Sequence, residues 1–285
     1  MTDTGRVQDK VVLVTGGARG QGRSHAIKLA QEGADVILFD ICRDIDTNGY
    51  PLATPHDLEE AGLLVEKTGR RAVTAEVDVR DRAAMETALA AAVDELGGLD
   101  VVVANAGICP LGEGAPITAF ADAFDVDFIG VVNTVHVALP YLTAGASVIT
   151  IGSIAGLMSE ASGGAAGPGG PGGAGYNLAK QLVDRYTRGL ARQLAPLSIR
   201  ANVIHPTNVN SPMLNSDPMY RTFRPDLENP TREDAILAFP AMQAMPIPFM
   251  ETEDTSNVVC FLASDESRYV TGLQFKVDAG AMLKL

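Results

Sequence analysis

Tyr176 and Lys180 stand four positions apart in a stretch of helical character, so they share one face of a helix. A phenol is a poor base at its ordinary pKa of about 10. An ammonium on the same face stabilises the phenolate and is expected to lower that pKa, giving a group that can exchange a proton near neutrality. Such pairs also arise on plain solvated helices, so their place in the chain matters. Here the pair follows an apolar run, Ser147–Ile151, just beyond which stands Ser153. A serine at that point can donate a hydrogen bond to a substrate oxygen as charge develops on it, or can simply cap a turn.

A second constellation lies near the amino terminus. Residues 11–22 read VVLVTGGARGQG, a β-branched run that breaks into Gly16, Gly20 and Gly22. A strand feeding a glycine turn and then a helix leaves the helix's first N–H groups free and directs its dipole at an anion, commonly a nucleotide pyrophosphate. Close packing alone also accounts for such glycines. Asp40 ends the next apolar run, eighteen residues after Gly22. A carboxylate there accepts hydrogen bonds from the adenosine ribose and repels a 2′-phosphate, which favours NAD over NADP. Arg19 and Arg43 lie nearby and pull the other way; a solvated strand end is the alternative for Asp40.

These residues need a scaffold, and the chain supplies an alternating one. Strands are expected at Val11–Val14, Asp35–Phe39, Ala72–Val77, Leu99–Ala104, Ser147–Ile151, Ile199–Ile204 and Leu273–Val277. Between them helices are expected over Arg23–Glu32, Leu58–Thr68, Ala83–Leu96, Ile117–Phe124, Val126–Leu142, Ala174–Leu194 and Thr252–Ala263. Continuous apolar strands separated by helices imply an α/β, doubly wound parallel sheet of about seven strands with helices on both faces. No linker divides it, so a single domain over 1–285 is expected. Two stretches break the rhythm. Cys42–Asp57 carries Asn48, Gly49, Pro51 and Pro55 and reads as an inserted loop; 162–175, SGGAAGPGGPGGAG, reads as a flexible or tightly turning loop, either a wall beside a site or a surface insertion. From about 206 to 250 a proline-broken stretch holds Met213, Met219, Met242, Met245, Met250, Phe223, Phe239 and Phe249. Adaptable apolar side chains of this kind suit a lid over a lipophilic substrate, or ordinary loop packing.

Of 285 residues 46% are hydrophobic, which excludes a disordered chain, and the net charge of −13 argues against nucleic acid or an anionic membrane surface as partner. The three cysteines, Cys42, Cys109 and Cys260, are scattered and suggest no metal site; they fit a reducing, cytoplasmic setting. No signal peptide or membrane-length apolar run is evident. His25 and His136 fall in expected helices, His56 and His205 in expected loops, and none has a partner at metal-ligand spacing.

Taken in order, TGxxxGxG at Thr15–Gly22, Asp40, DV at Asp78-Val79, NAG at Asn105–Gly107, Ser153, YxxxK at Tyr176–Lys180 and a proline-led segment from Pro206 resemble the short-chain dehydrogenase/reductase family across nearly the whole chain. The resemblance implies a Rossmann-type fold and hydride transfer between NAD and an alcohol or ketone. It implies that Tyr176 exchanges the proton, Lys180 tunes Tyr176 and holds the nicotinamide ribose, and Ser153 orients the substrate oxygen. It places Gly16, Arg19, Gly20, Gln21 and Gly22 at the phosphates, Asp78 and Val79 by the adenine, Asn105, Ala106 and Gly107 along the cofactor, and Pro206, Thr207, Val209 and Ser211 past the nicotinamide. It also implies a homo-oligomer, a dimer or tetramer. Two features depart from the family. Asp127 stands where an asparagine is usual, replacing a donor–acceptor with a group that, when ionised, only accepts. Ser153 and Tyr176 are 23 positions apart, a glycine-rich insertion more than usual. A finer resemblance, carried by GARGQGRSHA, FDICRDID, YPLATPHDL and HPTNVNSPM, is to the carveol-dehydrogenase-like branch. It implies a secondary, cyclic or terpenoid alcohol as substrate, tightly bound NAD clamped by the 42–57 loop, and mycofactocin as electron acceptor. A catalytically weak NAD-binding sensor or scaffold and an NADP-dependent carbonyl reductase are the competing expectations.

Overall fold

The computed structural model describes residues 5–112, 114–158 and 169–284. Seven parallel strands form one sheet in the order β3-β2-β1-β4-β5-β6-β7: β1 Val11–Thr15, β2 Asp35–Asp40, β3 Ala72–Glu76, β4 Val101–Ala104, β5 Ser147–Ile151, β6 Arg200–Pro206 and β7 Gln274–Val277. The central strands are buried on both faces, which is why they read as unbroken apolar runs. Alternation divides them between two cores. Val11, Leu13, Ile37 and Phe39 join Met85, Leu89, Val135 and Leu190 on one side; Val12, Val14, Val36 and Leu38 join Ala26, Leu29, Leu58 and Val259 on the other. The first face is covered by α3 (Arg82–Leu96), α5 (Gly130–Ala138) and α6 (Gly170–Leu194), the second by α1 (Gly20–Gln31), α2 (Pro55–Glu66) and α9 (Thr252–Ala263). The sheet changes winding direction between β1 and β4, and there a crevice opens beyond the strand carboxyl ends.

Three expectations need correction. The helix expected from Ala174 begins at Gly170, so part of the glycine-rich run is helical. A Cβ at Gly172 or Gly175 would strike the carbonyl oxygens of Pro110 and Phe120. These glycines permit close backbone approach rather than flexibility, a distinction composition does not carry. Residues 162–168 of that run lie outside the described residues. The two helices expected around Asp125 are one helical rod, Thr118–Tyr141, containing α4 (Thr118–Phe124), a π-helical turn (Asp125–Ile129) and α5. An 18-residue window within its 24 residues reaches a mean hydropathy of 1.2, enough by length and composition to cross a membrane, although none was expected to be. More than half of that window is buried inside the protein, because this rod packs against α6 and the sheet. Finally, His205 is not in a loop: it belongs to β6 and is fully buried.

Candidate active site

The first helix begins without a side-chain cap and without an acidic residue in its first turn, so its leading N–H groups are left for a ligand. Gly16 (φ +66°) and Gly20 (φ +53°) take left-handed conformations that turn the chain from β1 into α1, and a Cβ at Gly22 would collide with the Gly16 carbonyl. The resulting cleft, about 870 Å3 and open to solvent, is lined by Gly16, Arg19, Gly20, Gln21 and Gly22 at one end. Asp40, Asp78 and Val79 line the other end, and Asn105, Ala106 and Gly107 form the side against β4. The sequence-predicted cofactor residues therefore converge. Asn105 is held by its side-chain amide, which donates to the Thr15 and Gly16 carbonyls.

Asp40 is buried at the end of β2. Its Oδ2 accepts from Ala18 N at 3.0 Å and its Oδ1 from Cys42 N at 3.4 Å. Burial raises its pKa, and the Ala18 and Cys42 amides oppose that. Arg43, which could have argued for a 2′-phosphate, pairs with Asp78 at 3.2 Å. Arg19 stacks over the Tyr50 ring, 5.9 Å from its centre.

Tyr50 belongs to the insertion after β2, which crosses the cleft as a strap. Ile45, Tyr50, Leu52 and Ala53 line the cleft from above. The strap is tied down at both flanks: the Tyr50 hydroxyl accepts from Cys109 N at 3.1 Å, and Thr47 Oγ1 donates to Asp122 Oδ2 at 2.7 Å. Sequence reading placed the loop but not Tyr50, because nothing in a loop sequence tells which aromatic turns inward.

A second cavity of about 1190 Å3, also open to solvent, continues from the first, with Gln21, Ser211 and Met213 lining both. Ser153 and Tyr176 face it, as do Pro206, Thr207 and Val209. Its far wall carries Met213, Met219, Phe223 and Met242 from the expected lid, whereas Met245 is exposed and Phe239 is buried in a small core under α7 (Asp217–Phe223) and α8 (Arg232–Ala238). Gln21 Oε1, on the boundary of the two cavities, and Thr207 Oγ1, on the second, are buried without a partner among the described residues, polar atoms positioned for a ligand with amide or hydroxyl groups.

Ser153 is both cap and site residue. Its Oγ accepts from Ala155 N at 3.1 Å, which leaves its own proton free to donate, and it is in hydrogen-bond contact with Tyr176. Its carbonyl oxygen accepts from His205 Nδ1 at 2.9 Å.

Lys180 and Asp127 lie behind this wall. Lys180 Nζ donates to the Ile151 carbonyl at 3.1 Å and sits 3.0 Å from Asp127 Oδ1; Asp127 Oδ2 accepts from Ile108 N at 3.1 Å. The ammonium is 5.5 Å from the Tyr176 ring centre. A lowered pKa was expected for this phenol; in its net surroundings Tyr176 is held well above the ordinary range, first by burial and then by Cys109 and Asp127, with the Ser153 hydrogen bond opposing them. Burial keeps Cys109 a neutral thiol. It also raises the Asp127 pKa, against the Lys180 ammonium and the Ile108 amide, which favour the carboxylate. Asn133, six positions after Asp127, does not take the place of the missing asparagine: it donates to the Val79 and Arg80 carbonyls.

With this geometry in place, similarity to known proteins is informative. Residues 16–282 match a family described as "Enoyl-(Acyl carrier protein) reductase". The (-)-trans-carveol dehydrogenase of Rhodococcus erythropolis is 44% identical, the alignment covering 98% of this chain and 99% of that one. The chain belongs to the short-chain dehydrogenase/reductase family. Its trans-4-hydroxycyclohexanecarboxylate dehydrogenase member from Sinomonas cyclohexanicum is 35% identical over 96% of this chain and 93% of the relative. The crystal structure of carveol dehydrogenase from Mycobacterium avium in complex with NAD superposes with a TM-score of 0.91 at 42% identity, over 98% of this chain and all of that one. This family member is accordingly an oxidoreductase.

Proposed function

We propose that the protein transfers a hydride between NAD and a secondary alcohol, cyclic or terpenoid in type. The observation that carries this reading is that Tyr176 and Ser153 face one cavity, which shares Gln21, Ser211 and Met213 with the glycine-lined cleft, and that Lys180 Nζ lies 5.5 Å from the Tyr176 ring centre. The cleft fits a dinucleotide: free helix N–H groups for the pyrophosphate, a carboxylate at the ribose end, and the unpaired Gln21 and Thr207 oxygens toward the reacting end. Bound there, NAD supplies the hydride acceptor. Ser153 donates to the substrate oxygen, Tyr176 exchanges its proton with that oxygen, and Lys180 keeps a proton donor turned toward the cofactor ribose. The mostly apolar wall of Met213, Met219, Phe223 and Met242 suits an alicyclic skeleton.

We further infer a single NAD-binding unit over 1–285, with the 42–57 insertion as a clamp and the 206–250 region as the substrate lid. Under that clamp NAD stays bound through turnover and is reoxidised in place by an external carrier, with mycofactocin the leading candidate. The Rhodococcus and Mycobacterium avium relatives support the carveol-like substrate and NAD. The three buried free cysteines fit a cytoplasmic setting. A homo-oligomer built on the faces around 120–142 and 176–194 completes the reading, and light scattering tests it.

The deciding experiment is a panel of cyclic and linear secondary alcohols assayed with added NAD and, separately, with an artificial electron acceptor. Turnover of cyclic alcohols is expected. Silence with both acceptors alongside tight NAD binding favours a sensor or scaffold; tighter binding of NADP than NAD favours a carbonyl reductase.

A further inference from the structure

Asp127 is fully buried in the π-helical turn, and among the described residues its ion-pair partner is Lys180. Lys180 Nζ is 3.0 Å away and the Ile108 amide 3.1 Å away. Gly107, which lines the cleft, lies directly against the pair: a Cβ there would stand 2.6 Å from Asp127 Oδ1 and 3.4 Å from Lys180 Nζ. The carboxylate and the ammonium are thus locked side by side beneath the cofactor cleft, and together they carry no net charge.

Tyr176 is the group that feels the difference. Lys180 faces it from its own helix, Asp127 from the π-turn, Cys109 from the segment after β4, Tyr50 from the strap, and Ser153 from the end of β5. Burial holds Cys109 and Tyr50 neutral, which leaves Lys180 and Asp127 as the charged side chains among these neighbours of Tyr176. An asparagine at 127 would leave the ammonium uncompensated at 5.5 Å from the ring centre, close enough in a partly desolvated site to move a phenol by about one pH unit or more.

We propose that Asp127 neutralises the Lys180 ammonium and thereby keeps Tyr176 a protonated phenol throughout the neutral range, so that the site gives a proton to a substrate oxygen more readily than it takes one. The inference rests on the dehydrogenase reading above. In the favoured direction the Tyr176 O–H bond breaks and the product's O–H bond forms, while the carbonyl carbon takes the hydride and its electron pair from NADH. The phenolate then recovers a proton from water. In the opposite direction, the one drawn on when an external carrier reoxidises the bound cofactor, Tyr176 must first lose its proton, so alcohol oxidation should proceed faster as pH rises. Asp127 acts through Lys180 and is a positioning residue for charge.

Asp127→Asn tests this with little change of shape. The first readout is the tyrosinate difference absorbance of the NAD-loaded protein titrated from neutral to alkaline pH, with Tyr176→Phe subtracted to isolate Tyr176. In the parent protein Tyr176 should ionise no earlier than a free tyrosine; in Asp127→Asn it should ionise at least about one pH unit lower. Earlier ionisation in the parent, or overlaid titrations, overturns the proposal. The second readout is the pH profile of alcohol oxidation, whose acid limb should move down by about the same interval while KM stays nearly constant. If Asp127→Asn does not fold, Asp127→Ser carries the same comparison. The titration needs no turnover: a shift without activity on any alcohol upholds the role of Asp127 and removes the dehydrogenase reading, whereas activity with unshifted profiles overturns only the role of Asp127.

Discussion

His205 Nδ1 lies 2.9 Å from the main-chain carbonyl of Ser153, a bond that ties the end of β6 to the residue just past β5. A carbonyl only accepts, so Nδ1 carries the proton and Nε2 is left facing Asp184 Oδ1 at 3.5 Å. Burial lowers the His205 pKa, against the opposing effects of the Ser153 bond and Asp184, and keeps the ring neutral near pH 7. Ser153 is consequently held at both ends, its carbonyl by His205 and its Oγ by Ala155 N.

His205→Leu should therefore lower kcat about tenfold or more with a small change in KM, because Ser153 loses the anchor that aims it at the substrate oxygen. Asn places an amide donor near the position of Nδ1 and should recover much of the loss. Equal damage by both substitutions would show that the ring serves packing alone.

The strap should govern how long the dinucleotide stays. Tyr50→Phe removes the acceptor for Cys109 N and leaves that buried donor unpaired, at a cost of about 1–3 kcal/mol. The outcome expected is faster NAD release, measured by stopped-flow competition, and a smaller fraction retained through gel filtration. Unchanged release would mean that the strap closes without its latch.

Asp40 should set the choice of dinucleotide. Asp40→Asn exchanges one acceptor for a donor beside Ala18 N and Cys42 N and removes the charge that repels a 2′-phosphate. NAD affinity should fall about tenfold, the worth of a lost hydrogen bond to a charged group, while NADP affinity changes less or rises. Calorimetric titration of both nucleotides checks it, and an unaltered ratio of their dissociation constants would refute the assignment.

Much of this site is written locally in the chain. Gly16, Gly20 and Gly22 announce a turn that only glycine allows, and Asp40 and Ser153 announce themselves by ending or following apolar strands. What the chain does not announce depends on contacts between distant segments. The π-turn that carries Asp127 to Lys180 leaves no periodicity signal, since one extra residue per turn is invisible in a five-residue stretch. His205 reads as one more residue beside a proline until β6 pairs with β5. Tyr176 and Lys180 share a face as their spacing demands, yet the field between them is reset by a third residue some fifty positions upstream.

Acid stability should report His25. This residue is fully buried where α1 packs on α9, with Nδ1 bonded to Ser256 Oγ at 2.8 Å and Nε2 unpartnered. Burial pushes its pKa down from 6.5 to about 3. Above pH 6.5 the ring is neutral in folded and unfolded chains alike, and it imposes no penalty. Below pH 6.5 the unfolded chain takes up a proton that the folded chain refuses until about pH 3, so unfolding is favoured by about 1.4 kcal/mol for each pH unit across that window. His25→Asn keeps a short polar group toward Ser256 but cannot titrate. Its unfolding free energy, measured by urea titration across the same window, should fall less steeply with acidification than the parent's. Parallel slopes would mean that the folded protein admits a proton at His25 by opening the α1–α9 contact.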